Sequence, residues 1–166
     1  MGWSLTAPTL PGGSEWVQKD TIYISNNQED VTGTISIARL EGTNFALKIV
    51  ETRTFHLTNP NFTDFYKTYH RCDVAGVTGE AYTESRFGSS GSTKTYYFTG
   101  IAAAGASIKV VVGVKVDNVT KEFSFAAPAL LGLPFVFNDN GTPRKVAKWM
   151  YNDNGTAKNV ILKYHT

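Results

Sequence analysis

From Trp16 onward, apolar and polar residues alternate with period two: Ile22 and Ile24, then Ile35 and Ile37, then Phe45, Leu47 and Ile49. Alternation places the apolar set on one face of a pleated strand, so each run predicts a strand buried on one side. The longest run is Ile108, Val110, Val112, Val114 and Val116, interleaved with Lys109, Val111, Gly113 and Lys115. After Asp117-Asn118 the pattern resumes at Phe123 and Phe125, which predicts a hairpin. One segment departs from period two: Asn59 as N-cap, Pro60 at the first helical position, and Phe62, Phe65, Tyr66 and Tyr69 at helical spacing. These predict a helix near 60–71. The expected fold is mainly β, a β-sandwich or barrel with one short α-helix closing an end or covering an edge.

Residues 1–14 hold Pro8, Pro11, Gly12 and Gly13 among Ser and Thr, without periodic apolar positions, and predict a flexible N-terminal arm. The β-sandwich core is expected over 15–127. Loops are expected at 88–93 (Gly88-Ser89-Ser90-Gly91-Ser92-Thr93) and 100–105, to be ordered by neighbouring subunits. Ala126 to Pro134 breaks the alternation. Beyond it, Phe137-Asn138-Asp139-Asn140-Gly141-Thr142 recurs fourteen residues later as Tyr151-Asn152-Asp153-Asn154-Gly155-Thr156. Asn-Gly favours a type I′ turn because both central residues need positive φ. Two copies predict a C-terminal three-strand β-meander over 128–166, packed on or extending the core, with strands near 134–138, 143–151 and 157–164.

Composition narrows the chemistry. In 166 residues, 16 basic side chains against 14 acidic give a net charge of +2, too weak a field to favour a polyanion, and Lys145, Lys148, Lys158 and Lys163 fall on both faces of the meander. No nucleic acid is expected as a partner. The single cysteine, Cys72, rules out an intramolecular disulfide and a cysteine-based zinc site. The start of the chain lacks a secretory leader pattern, and no apolar run nears the roughly 20 residues of a helical membrane span. Met1-Gly2 with Thr6 matches an N-myristoylation pattern, but Trp3 fits it poorly and no polybasic second anchor follows. The chain is expected to be made in a cytoplasm and not secreted.

No catalytic, metal or cofactor site is expected. His56, His70 and His165 are far apart, and His56 reads as a solvated strand residue. His70 and Cys72 sit at the end of the predicted helix, where residues two apart do not face each other, so Cys72 reads as a small buried hydrophobe. Glu80 and Glu84 read as solvated carboxylates, and the Asn-Asp-Asn-Gly units lack the closing Glu of a calcium loop. Aromatic residues remain: 10 Phe, 8 Tyr and 3 Trp. Among Tyr96, Tyr97 and Phe98 at least one must point away from the core, and Trp149 and Tyr151 share a face of the meander. Trp3, Tyr96, Tyr97, Trp149 and Tyr151 are the candidate interface or ligand residues.

The tandem units between Phe135 and Tyr164, each an aromatic, Asn-Asp-Asn-Gly-Thr, a basic residue and Val, resemble the short hairpin repeats that close structural proteins of tailed bacteriophages. The small Thr/Gly/Ser-rich β chain with a Pro/Gly arm is similar to tail tube, baseplate and capsid-decorating subunits. The resemblance implies a virion structural protein that forms homo-oligomers, trimers or hexamers, with other virion proteins as partners. The alternative expectation is a glycan-binding or host-receptor-binding β-sandwich module that takes a host-surface glycan.

Overall fold

A computed structural model of the chain describes residues 2–26, 29–56, 67–85, 92–114, 119–131, 136–139 and 142–145. The chain divides into two compact units, Met1–Leu131 and Gly132–Thr166. Among the described residues the first unit holds nine strands: β1 (Gly2–Ser4), β2 (Val17–Ser25), β3 (Glu29–Arg39), β4 (Asn44–Phe55), β5 (Lys67–Val74), β6 (Tyr82–Ser85), β7 (Ser92–Ile101), β8 (Ser107–Val114) and β9 (Val119–Ala126). They form two antiparallel sheets, ordered β1-β7-β4-β3-β2 and β6-β5-β8-β9. The inner faces share one core. Ile22, Ile35, Ile37, Phe45, Leu47 and Ile49 come from the first sheet, and Cys72, Ile108, Val110, Val112, Val114 and Phe123 from the second. The architecture is an open sandwich rather than a closed barrel.

The period-two runs become β2, β3, β4 and β8, and the expected hairpin is β8–β9, in which Ile108 faces Phe125 and Val110 faces Phe123. The expected helix is not found where the structure describes it. Lys67 to Arg71 lie in β5, which pairs with β8 through Thr68–Val114, His70–Val112 and Cys72–Val110, while 60–66 lie outside the described residues. Thr68, His70 and Cys72 are all buried. Burying this face against β8 and the opposite sheet overrides the local helical spacing, because strand preference follows packing.

The expected arm also carries regular structure, since Gly2–Ser4 adds to the edge of β7 with Trp3 opposite Phe98. The loop after β7 is held by its own chain: Ala102 N–H donates to Thr43 C=O at 2.9 Å, and Gly105 N–H to Ala127 C=O at 3.1 Å. The boundary between units falls at 131/132, where the sequence places it at 127/128. In the second unit, β10 (Val136–Asp139) and β11 (Thr142–Lys145) form an antiparallel hairpin with Asp139 opposite Thr142. The second copy of the repeat and the third strand of the expected meander lie outside the described residues.

Candidate functional site

On β4 the inward parity of Phe45, Leu47 and Ile49 continues through Glu51 and Arg53, so strand geometry carries two charges into the interior. Glu29 on β3 has the same inward parity as Val31, Ile35 and Ile37. Gly33 sits directly opposite Glu51, where a Cβ would come within 2.0 Å of the Val50 carbonyl oxygen, so only glycine permits that approach. From the facing sheet come His70 of β5 and the backbone of Gly113 of β8. Arg53 Nε donates to Glu51 Oε1 at 3.0 Å, one terminal nitrogen to Glu29 Oε2 at 3.1 Å, and the other to the Gly113 carbonyl at 3.2 Å. His70 Nε2 lies 3.1 Å from Glu51 Oε2.

All four side chains are shut off from solvent. Burial pushes the Glu51 carboxyl up, but His70 and the Arg53 guanidinium, by hydrogen bond and by charge, outweigh it and hold the group at about 2. The opposite balance holds at Arg53: burial disfavours its charge, and Glu51 and Glu29 more than restore it, raising its pKa. Each charge is therefore tolerable only while the others are in place.

Beside this network lies an aromatic cluster built from four strands. His70 packs on Tyr96 at 4.4 Å between ring centroids, and Tyr82 of β6 lies 6.0 Å from Tyr96. Trp3 of β1 closes the cluster, 5.3 Å from His70 and 5.1 Å from Phe98. Trp3 Nε1 and His70 Nδ1 are both buried without a hydrogen-bond partner. At the rim, Lys94 pairs with Glu84 and lies over the Tyr96 ring. Cys72 shares the face of His70, which two-residue spacing on a strand requires and which the expected helix would have denied. It is 1% exposed, and burial with the nearby Asp73 charge pushes its thiol up to about 12, so it stays protonated near neutral pH.

β1 and β2 occupy opposite edges of the same sheet, so residues 5–16 must pass across it as an irregular strap. Trp16 at its end packs on Tyr97 of the outer face at 6.0 Å, with the Lys48 ammonium 5.1 Å from the Trp16 ring centroid. Ser14 Oγ donates to the Arg39 carbonyl. The buried Arg39 guanidinium donates to the carbonyls of Thr43, Ala102, Pro128 and Ala129, tying the end of the sandwich together. Thr9 and Pro11 of the strap, with Leu40, Asn44, Thr99 and Ile101, line a cleft of about 560 Å³ whose described lining holds no aromatic ring.

The expected aromatic residues are thus divided. Trp3 and Tyr96 come together inside the sandwich, Tyr97 lies on the outer face, and Trp149 and Tyr151 lie outside the described residues. His56, at the end of β4, is exposed and 2.9 Å from Asp30. Among the described residues no group of three or more His, Cys, Asp or Glu side chains could hold a metal ion, and no helix is long and apolar enough to cross a membrane. Sequence reasoning missed Glu29, Glu51 and Arg53, and set His70 aside at the end of a helix that the structure replaces with β5. For Glu29, Glu51 and Arg53 the available signal was their shared parity with the apolar positions of β3 and β4; the buried face of β5 gave His70 no such signal. Comparison with protein families, curated proteins and solved structures finds no match.

Proposed function

We propose that this chain is a self-assembling structural subunit of a bacteriophage particle, in the tail tube, baseplate or capsid decoration. The observation that carries the reading is the attachment of β1: three residues at the end of an irregular strap, planting Trp3 between the sheets. Such an element adds to a sheet edge by backbone pairing and one anchoring ring, the means by which strand-rich subunits join edges and exchange arms. The C-terminal Asn-Asp-Asn-Gly-Thr repeat, which resembles phage structural proteins, supports the same reading.

The test is the absolute mass in solution by light scattering across a concentration series, for the whole chain and for a chain lacking residues 1–14. A trimer, a hexamer or a concentration-dependent assembly, weakened by the deletion while circular dichroism shows the β fold retained, is the expected result. A monomer at every concentration overturns the proposal. The second reading, a module for host-surface glycans, draws on the Trp16–Tyr97 pair, whose half-buried rings lie on the outer face. A glycan array that stays blank for the whole chain removes it, and Tyr97→Ala should abolish any signal found.

A further inference from the structure

Among the described residues the sandwich has four edge strands, and three of them are guarded. β1 and β6 are three and four residues long, and β9 carries Lys121 and Glu122 at its centre. Short strands and central charges are the usual defences against pairing with another chain. β2 differs. Its defences, a register shift between Gln18 and Asp20 and the charges of Lys19 and Asp20, are confined to its first half. The second half, Thr21-Ile22-Tyr23-Ile24-Ser25, is uncharged, rich in strand-forming residues and, among the described residues, pairs with β3 on one side only.

Two hydrogen bonds establish which backbone groups face the open side. Asn26 N–H donates to Glu29 C=O across the β2–β3 turn at 3.0 Å, so even-numbered residues point their amides at β3. Thr21 N–H instead bonds to the Asp20 side chain at 2.8 Å, as an outward amide would. In an antiparallel ladder this alternation turns the N–H and C=O of Thr21, Tyr23 and Ser25 to the open edge. The five residues are also chemically palindromic about Tyr23: a hydroxyl residue, Ile, Tyr, Ile, a hydroxyl residue.

We infer that β2 is a self-pairing edge, and that its occupant is the β2 of a second copy, joined antiparallel about a two-fold axis through Tyr23. Tyr23 then faces its own symmetry mate and Thr21 faces Ser25, so every outward backbone group of the segment is paired. The Ile22 and Ile24 side chains extend the inner face across the join, and the two Tyr23 rings, each 62% exposed in the single chain, cover one another on the outer face. Asp20 meets Asn26 rather than another acid. A five-residue contact is small, so the dimer is expected to be weak, with a dissociation constant on the order of micromolar. This rests on the self-assembly reading and names its contact. A hexamer of dihedral symmetry contains such a two-fold, and a simple three-fold ring does not.

The experiment compares light-scattering mass across a concentration series for the whole chain, Tyr23→Lys and Tyr23→Pro. Lysine sets like charges on the two-fold axis. Proline removes an amide that points away from β3, so no ladder bond is lost. Both should weaken association at least tenfold. A register check follows from oxidative cross-linking of variants that add one cysteine in a Cys72→Ala background. Tyr23→Cys should link to itself, since facing Cα atoms lie about 5.5 Å apart, within disulfide reach. Thr21→Cys, displaced by four residues from its mate, should not. An assembly unaffected by Tyr23→Lys overturns the inference and leaves the self-assembly reading standing; equal cross-linking at both positions overturns the two-fold register. A monomeric wild-type chain overturns both readings.

Discussion

Replacing Arg53 by methionine tests whether the interior charges form one interdependent unit. The guanidinium is 1% exposed and bridges Glu51, Glu29 and the Gly113 carbonyl; its loss removes the cation shared by two carboxylates that have almost no access to water. Removing one member of a buried ion pair costs about 3–5 kcal/mol, a large share of the roughly 5–15 kcal/mol that stabilises a typical domain. The pH dependence supplies a second signature. In the native chain Glu51 is held at about 2 against 4.5 in its reference state. A depressed carboxyl contributes stability that is fully present above the unfolded value and is lost as pH falls through the folded one, here on the order of 3 kcal/mol lost between those limits. In Arg53→Met the charge and hydrogen bond of the guanidinium no longer oppose the effect of burial on Glu51, so the folded-state pKa rises. The deficit relative to wild type should then be greatest near neutral pH and shrink on acidification, as the two buried carboxylates take up protons. Urea unfolding followed by tryptophan fluorescence at several pH values measures it, and adding Glu29→Gln and Glu51→Gln to the variant should recover much of the loss. A deficit below about 1 kcal/mol at neutral pH, or one that stays constant with acidification, would refute the reasoning.

Three further outcomes are expected. Trp3→Ala should cost roughly 2 kcal/mol, less than a fully buried tryptophan because Trp3 is half-buried, and should speed hydrogen exchange at the β7 edge; protection there equal to wild type would show that β1 does not hold it. Ala75 adopts φ 50° beside Gly76 in the turn after β5, so Ala75→Gly should stabilise by about 0.5–1 kcal/mol, read as a small rise in Tm, and a fall would contradict the left-handed assignment. Cys72 should resist a thiol reagent in the native chain and react once urea unfolds it; rapid native labelling would mean that the β5 face opens.

Much of the sandwich was legible because Ile22, Ile35, Leu47 and Val110 keep strict parity, and parity is what a half-buried strand requires. β5 was not. Its buried face is written in Thr68, His70 and Cys72, residues that carry little apolar signal, while Tyr66 and Tyr69 happen to keep helical spacing with Phe62 and Phe65. The buried network was hidden by the expectation that charged residues lie outside. Glu51 and Arg53 nonetheless continue the parity of Phe45, Leu47 and Ile49, and a parity-first reading of β4 would have flagged them. Neither the pairing of β1 with β7 nor the convergence of Arg53 with His70 could be read from local pattern, because both depend on strand order.

That strand order also governs the time at which the molecule can be completed. Trp3 and Phe98 are neighbours in the sheet yet more than half the chain apart in sequence. On a ribosome adding about 5–20 residues per second, β1 is made before β7 and waits on the order of 5–20 s for it to exist. Loop closure over that span adds its own entropic delay. The first-made strand of this sheet is therefore the last in it to find its place, and until it does, the indole that packs on His70 stays outside.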